Sequence, residues 1–204
     1  MSKADNAPGH RVVDAALKAL SRPMARPSFG EKSRGGDVRT PGTKDDWLTP
    51  PELIAALGEF DLDPCAPINR PWPTAKLHFT VIDDGLSQDW DLRSPKGSTR
   101  VWLNPPYGAE GPRWVRKAAA HGNAIVLLHS RTDAAWFHEA VAACDAILFF
   151  KGRIKFHHLD GTVCAGRPAF MSVLVAYGSN NAAALAESGI DGLLFQRPFR
   201  SPKK

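Results

Sequence analysis

Behind the apolar run Val101-Trp102-Leu103 stands a four-residue corner, Asn104-Pro105-Pro106-Tyr107, that cannot continue a sheet. Proline fixes its own φ, carries no N–H and pushes the preceding residue into extended backbone. The carbonyls at Asn104 and Pro105 therefore become acceptors in a rigid frame. Asn104 adds a side-chain acceptor, and Tyr107 adds a flat face for stacking. An exocyclic amino group on a planar ring needs these parts: two acceptors for its hydrogens and an aromatic surface for the ring. Drawing both hydrogens toward acceptors makes the nitrogen more sp³-like, and its lone pair can then attack an electrophile.

Other charged groups also stand at the ends of apolar runs. In KGRIKF, the residues Lys151, Arg153 and Lys155 alternate, and extended backbone turns three such cations to one side. They suit phosphate, or else form a solvated strand end. Arg131 follows "AIVLLH" and is placed to contact a substrate, while Thr132 and Asp133 beside it suit the cap of a helix. His157, His158 and Cys164 lack a fourth ligand for tetrahedral zinc, so no metal is expected. Cys65, Cys144 and Cys164 are odd in number and widely spaced, which excludes a disulfide framework and a CxxC metal pair.

The elements that must hold these groups follow from periodicity. "DDWLTPPELIAALGEF" predicts a helix with Thr49 as N-cap, prolines in its first turn and Glu52 at its third position. "FDLDPCAP" reads as a short buried strand closed by Asp63-Pro64, "AKLHFTVIDDGL" contains a second strand, and "RVWLNPPYG" is a third. Then come helix "GPRWVRKAAAHG", strand "NAIVLLHS", helix "TDAAWFHEAVAAC" capped by Thr132 or Asp133, and strand "DAILFFKG". Alternation of this kind predicts an α/β fold with a mainly parallel sheet and right-handed crossovers. "RPAFMSVLVAYG" is reached without a crossover helix, so the last two strands are expected to form a terminal antiparallel hairpin. In such sheets ligands sit beyond the carboxyl ends of strands, where the loops after Asp63 and Leu103 lie.

Length and composition set the boundaries. The chain has 204 residues, 43% of them hydrophobic, enough for one sizeable core plus extensions. Residues 1–44 are rich in Arg, Lys, Pro, Gly and Ser and read as a flexible basic arm with one candidate helix at 12–20. Residues 45–180 form the expected domain, and 181–204 a C-terminal extension ending in the basic tail "QRPFRSPKK". The net charge of +5 favours a polyanionic partner. No run approaches the roughly 18 apolar residues of a membrane span, and no signal peptide opens the chain, so a cytoplasmic location is expected.

The run "DDWLTPPEL", "FDLDPCA", "GLSQDW", "VWLNPPYG", "RTDAAWFH" and "GRIKF" resembles the phage-type DNA N6-adenine methyltransferases (Dam-like). The resemblance covers most of residues 46–178. It implies a Rossmann-like class I methyltransferase fold, S-adenosylmethionine as cofactor and DNA as partner. By it, Asn104, Pro105, Pro106 and Tyr107 are catalytic. Trp47, Thr49 and Pro50 cover the cofactor, and Asp63 and Pro64 shape the pocket for its methionine part. Cys65-Ala66-Pro67 stand where the resembling families often have a Gly-rich turn. Asp83 or Asp84 is implied to bind the ribose hydroxyls, which a carboxylate meets best. Asp89-Trp90, with Asp91 a competing choice, matches an acidic position that accepts from the cofactor's adenine amino group beside an aromatic wall. Arg131, Lys151, Arg153 and Lys155 remain the substrate-side candidates.

The leading expectation is methyl transfer to adenine N6 in DNA, with the base flipped from the duplex onto Tyr107. About forty residues separate Pro64 from Asn104, too few for an inserted recognition domain, so a short or relaxed target sequence is expected. The same corner serves an RNA guanine amino group or a protein glutamine amide. A non-catalytic nucleic-acid-binding module with a decayed cofactor pocket is the third reading.

Overall fold

The computed structural model describes residues 47–92, 98–165 and 171–198, all of them in the unit that begins at Lys44. The basic arm expected over residues 1–44, with its helix at 12–20, lies outside the described residues.

In chain order the elements are α1 (Pro51–Leu57), β1 (Leu62–Asp63), β2 (Leu77–His78), β3 (Val101–Leu103), α2 (Gly111–His121) and β4 (Ala124–His129). α3 (Ala135–Ala143), β5 (Ala146–Phe150), β6 (Ser172–Tyr177), α4 (Ser179–Glu187) and β7 (Gly192–Gln196) follow. They build a mixed α/β fold around one seven-stranded sheet of order β2-β1-β3-β4-β6-β5-β7. The first four strands in that order are parallel. Every pairing beyond β4 is antiparallel. The sheet expected as mainly parallel is thus parallel in one half only.

β5 and β6 do pair antiparallel, as the missing crossover helix requires, but β6 inserts between β4 and β5 instead of lying outside them. Residues expected as a C-terminal extension supply most of α4 and all of β7, which closes the sheet beside β5.

The apolar strands are covered on both sides, as their unbroken hydrophobic runs demand. On one face Val126 and Leu128 of β4 and Val173 and Val175 of β6 meet Trp114, Val115 and Ala118 of α2 and Phe137 and Ala140 of α3. On the other face Ile125, Leu127, Leu174 and Ala176 meet Leu53 and Leu57 of α1 and Ala182 and Leu185 of α4. The period of two along each strand sorts these side chains between the two layers.

Neither expected helix cap forms. α1 starts after Pro50 with no side-chain cap bond, its first turn being entered through the prolines. α3 starts after Ala134, also uncapped. Asp133 pairs with Arg131 instead, and the Thr132 carbonyl accepts from His138.

At the amino ends of the parallel strands Arg100 acts as a latch. Its guanidinium donates to the carbonyls of Leu57 and Glu59 and to Asn181 Oδ1, at 2.9, 2.7 and 2.7 Å, and lies over the Phe60 ring. Asn181 Nδ2 in turn donates to Asn123 Oδ1 and the Tyr177 carbonyl. One cation therefore ties the end of α1 to the start of α4 on the same face of the sheet.

Candidate active site

Because β2, β1, β3 and β4 run parallel and side by side, the loops leaving Asp63, His78 and Leu103 emerge at one end of the sheet. They surround a cavity of about 540 Å³. Among its lining residues are Trp47, Thr49, Asp63, Cys65, Arg70, Trp72, Thr74, Val81, Asp84, Trp114 and Asn104-Pro105-Pro106-Tyr107. A smaller cavity of about 200 Å³ lies beyond the same corner, lined by Pro105, Pro106, Tyr107, His129, Arg131 and Trp136 among others.

The Asn104 amide is held from both ends. Its Nδ2 donates to the Trp47 carbonyl at 3.3 Å, with Thr49 Oγ1 at 3.5 Å, and its Oδ1 accepts from the Tyr107 hydroxyl at 3.2 Å. A carboxamide oxygen has two lone pairs, so Oδ1 can accept a second hydrogen bond beside the one from Tyr107. The strip Trp47-Leu48-Thr49 that fixes the amide is itself fixed by paired backbone bonds between Leu48 and His157 and by Trp72 Nε1 donating to the Thr49 carbonyl. Thr49, expected as a helix cap, is instead a buried wall of the cavity.

Tyr107 stacks on His129 with ring centroids 3.6 Å apart and planes 12° from parallel. Burial pushes the Tyr107 hydroxyl well above its ordinary range, so it remains a donor. Burial, with Arg131 nearby, pulls His129 down to about 4, so its imidazole is neutral at physiological pH.

Asp63 is 3% exposed. Its carboxylate accepts from the Cys65 N–H at 3.0 Å and from the Thr74 hydroxyl. Burial pushes its pKa up to about 6, against the opposing pull of those hydrogen bonds and of Arg70. A buried acid in that state gains from a cation placed beside it.

The two aspartates after β2 separate. Asp83 accepts from the Thr80 N–H and hydroxyl and so closes a turn. Asp84 lines the cavity and has φ +50, a left-handed conformation that a short acidic residue tolerates. Asp89 is exposed and accepts from the Asp91 N–H, away from the cavity wall. Trp90 is buried, donates to the Gly85 carbonyl and stacks on Trp114. Trp114, not Trp90, reaches the cavity. Pro50 and Pro64 do not line the cavity either: Pro50 leads into α1, and the Pro64 carbonyl abuts Gly85.

That abutment brings two backbone segments into close contact at Gly85. A Cβ on Gly85 would stand 1.9 Å from the Pro64 carbonyl oxygen and 3.2 Å from the Trp114 ring. Backbone on one side and a packed indole on the other leave nothing free to yield. Gly85→Ala is therefore expected to lose about 1–3 kcal/mol, the cost of overpacking. In a thermal melt this is a fall of several degrees, at roughly 2–4 °C per kcal/mol for a domain of this size; an unchanged melting temperature would contradict the packing.

Of the substrate-side candidates, Arg131 borders the smaller cavity and pairs with Asp133 at 3.1 Å. Lys151 pairs with Asp191 at 3.2 Å. Arg153 and Lys155 are exposed while Ile154 and Phe156 between and after them pack inward, the alternation expected of extended chain. β5 runs in the same sense as β4, both being antiparallel to β6, so these cations leave the sheet at the end that carries the cavities.

Residue reading passed over Arg70, Trp72 and Thr74, although the loop "NRPWPT" packs an Arg, a Trp and two prolines into a connection. It also passed over His129, whose signal was a lone imidazole ending an otherwise apolar strand. Among the described residues no cluster of three or more His, Cys, Asp or Glu has a metal-holding arrangement, and no helix is long and apolar enough to cross a membrane.

Residues 38–204 match the model of a family described as DNA N-6-adenine-methyltransferase (Dam). No curated protein and no solved structure matches the chain.

Proposed function

The chain belongs to the DNA N-6-adenine-methyltransferase (Dam) family, and from that premise we propose that it moves a methyl group from S-adenosylmethionine to N6 of adenine in DNA, on a Rossmann-like class I methyltransferase fold. The observation that carries this reading is the Asn104 amide, oriented from both ends on the wall of a cavity that also holds a buried acid. When bound, S-adenosylmethionine supplies an electrophilic methyl group on a positively charged sulfur.

The cavity's side chains fit such a ligand. Asp63 opposes its positive charge, and Asp84 takes the ribose hydroxyls. Trp47 and Trp114 give it aromatic walls. On the acceptor side, Asn104 Oδ1 and the Pro105 carbonyl take the two hydrogens of N6 and leave its lone pair directed at the electrophile. Tyr107 carries the base, which must leave the duplex to reach so recessed a site. Arg131, Arg153, Lys155 and Lys151 meet backbone phosphates, which position the strand without reading it. No general base is required, because the proton departs to water only after the new C–N bond has made the nitrogen acidic.

The test is transfer of radioactive methyl from labelled cofactor, compared across unmethylated duplex DNA, RNA and protein. Label in DNA, recovered as N6-methyladenine after digestion, is the expected result; label in RNA or protein alone would refute the assignment.

A further inference from the structure

Asn104 lines the larger cavity and His129 the smaller, while Tyr107 lines both. Pro105 and Pro106 line both as well, so the corner that carries the tyrosine ring is the partition between them. One face of that ring is taken by the His129 imidazole at 3.6 Å, and its hydroxyl is engaged by Asn104 at 3.2 Å.

His129 is the last residue of β4 and sits opposite Ser172 in the β4–β6 ladder, so pairing with β6 fixes its backbone. Tyr107, by contrast, belongs to a loop. A ring on a loop has two torsions to settle, and stacking against a ring anchored in a strand settles both.

From this arrangement we infer that His129 is a positioning residue for methyl transfer: it backs the Tyr107 ring so that the opposite face receives the target base and the hydroxyl stays on Asn104 Oδ1. The inference rests on the reading of the site as a methyltransferase centre. The role needs a flat neutral ring and no proton transfer. Burial keeps the imidazole in that form at physiological pH.

The chemistry predicts which substitutions are tolerated. Phenylalanine keeps the flat face and loses the ring nitrogens; alanine loses both. Labelled methyl transfer to unmethylated genomic DNA gives kcat and KM, titration calorimetry gives cofactor Kd, and a thermal melt reports folding. His129→Ala is expected to lower kcat about 10-fold, the equivalent of one lost aromatic pair. Its cofactor Kd should stay within about 2-fold of wild type, since the imidazole lies on the other side of the partition. His129→Phe is expected to recover kcat to within about 3-fold of wild type, because stacking is what it preserves.

Wild-type kcat in His129→Ala overturns the inference, as does a His129→Phe protein no better than the alanine variant. If His129→Ala fails to fold, His129→Phe decides alone: kcat within about 3-fold of wild type supports the inference, and a loss of about 10-fold overturns it. A wild-type protein that transfers no methyl to DNA defeats the reading of the site and this inference with it; an active wild type matched by His129→Ala defeats only the inference.

Discussion

Asn104→Ala is expected to abolish methyl transfer while leaving the protein folded and able to bind its cofactor. On the proposed reading Oδ1 is one of two acceptors that shape the reacting nitrogen, and loss of one preorganised polar contact at a developing charge typically costs about 10²–10³-fold in rate. The alanine also frees the Tyr107 hydroxyl, so the larger figure is expected. Stability should fall little, since Asn104 is only half-buried and its two donated contacts are long, at 3.3 and 3.5 Å. Asn104→Asp separates two roles. It keeps an acceptor but sets a carboxylate oxygen against the Trp47 carbonyl in place of an N–H, so partial activity is expected, between alanine and wild type. Labelled transfer to DNA beside cofactor titration reads all three proteins. Full activity in Asn104→Ala would remove this residue from the reaction.

Asp63→Asn is expected to trade function for stability. The folded-state pKa of Asp63, about 6, lies above the ordinary carboxyl value of 3.8. The folded protein therefore holds this proton more tightly than the unfolded chain does. The sign follows: stability is full below about pH 4, falls as pH rises through the window up to about pH 6, and stays reduced at neutral pH. The reduction is about 3 kcal/mol, at 1.36 kcal/mol for each pKa unit. Asparagine keeps an oxygen for the Cys65 N–H and carries no charge, so its melting temperature should exceed that of wild type at pH 7.5 and converge with it near pH 4. Cofactor affinity should move the other way. Removing one member of a buried charge pair costs roughly 3–5 kcal/mol, about 10²-fold or more in Kd. Wild-type affinity should also weaken below pH 6 as Asp63 takes up its proton, while the variant shows no such step. An Asp63→Asn protein with wild-type Kd at pH 7.5 would remove Asp63 from the cofactor site.

Both of these residues are legible in the sequence, because each stands at the end of an apolar strand and is followed by proline. A rigid polar stop on a buried element has few structural uses. The choice between Asp83 and Asp84 was not legible: both are short acids in one turn, and the φ of +50 at Asp84 belongs to the folded loop. Trp90 and Trp114 exchanged places for a similar reason. Two stacked indoles present one to the core and one to the cavity, and only packing depth decides which. Thr49 carried a capping pattern, yet Pro50 and Pro51 start α1 unaided and leave Thr49 for the cavity wall. β7 escaped because its residues are mostly exposed and α4 before it is built of Ala and Asn with no strong apolar stripe.

The Arg100 latch and the Asn104 corner bracket the same strand, three residues long, from opposite ends. Substitutions at the latch end, among Arg100, Asn123 and Asn181, are expected to change how many molecules are folded and to leave each folded molecule its full turnover. Those at the corner are expected to change turnover in a population that remains folded. A library of random variants of these residues, sorted once by cellular abundance and once by methylation of the host's DNA, should therefore divide along the axis of β3.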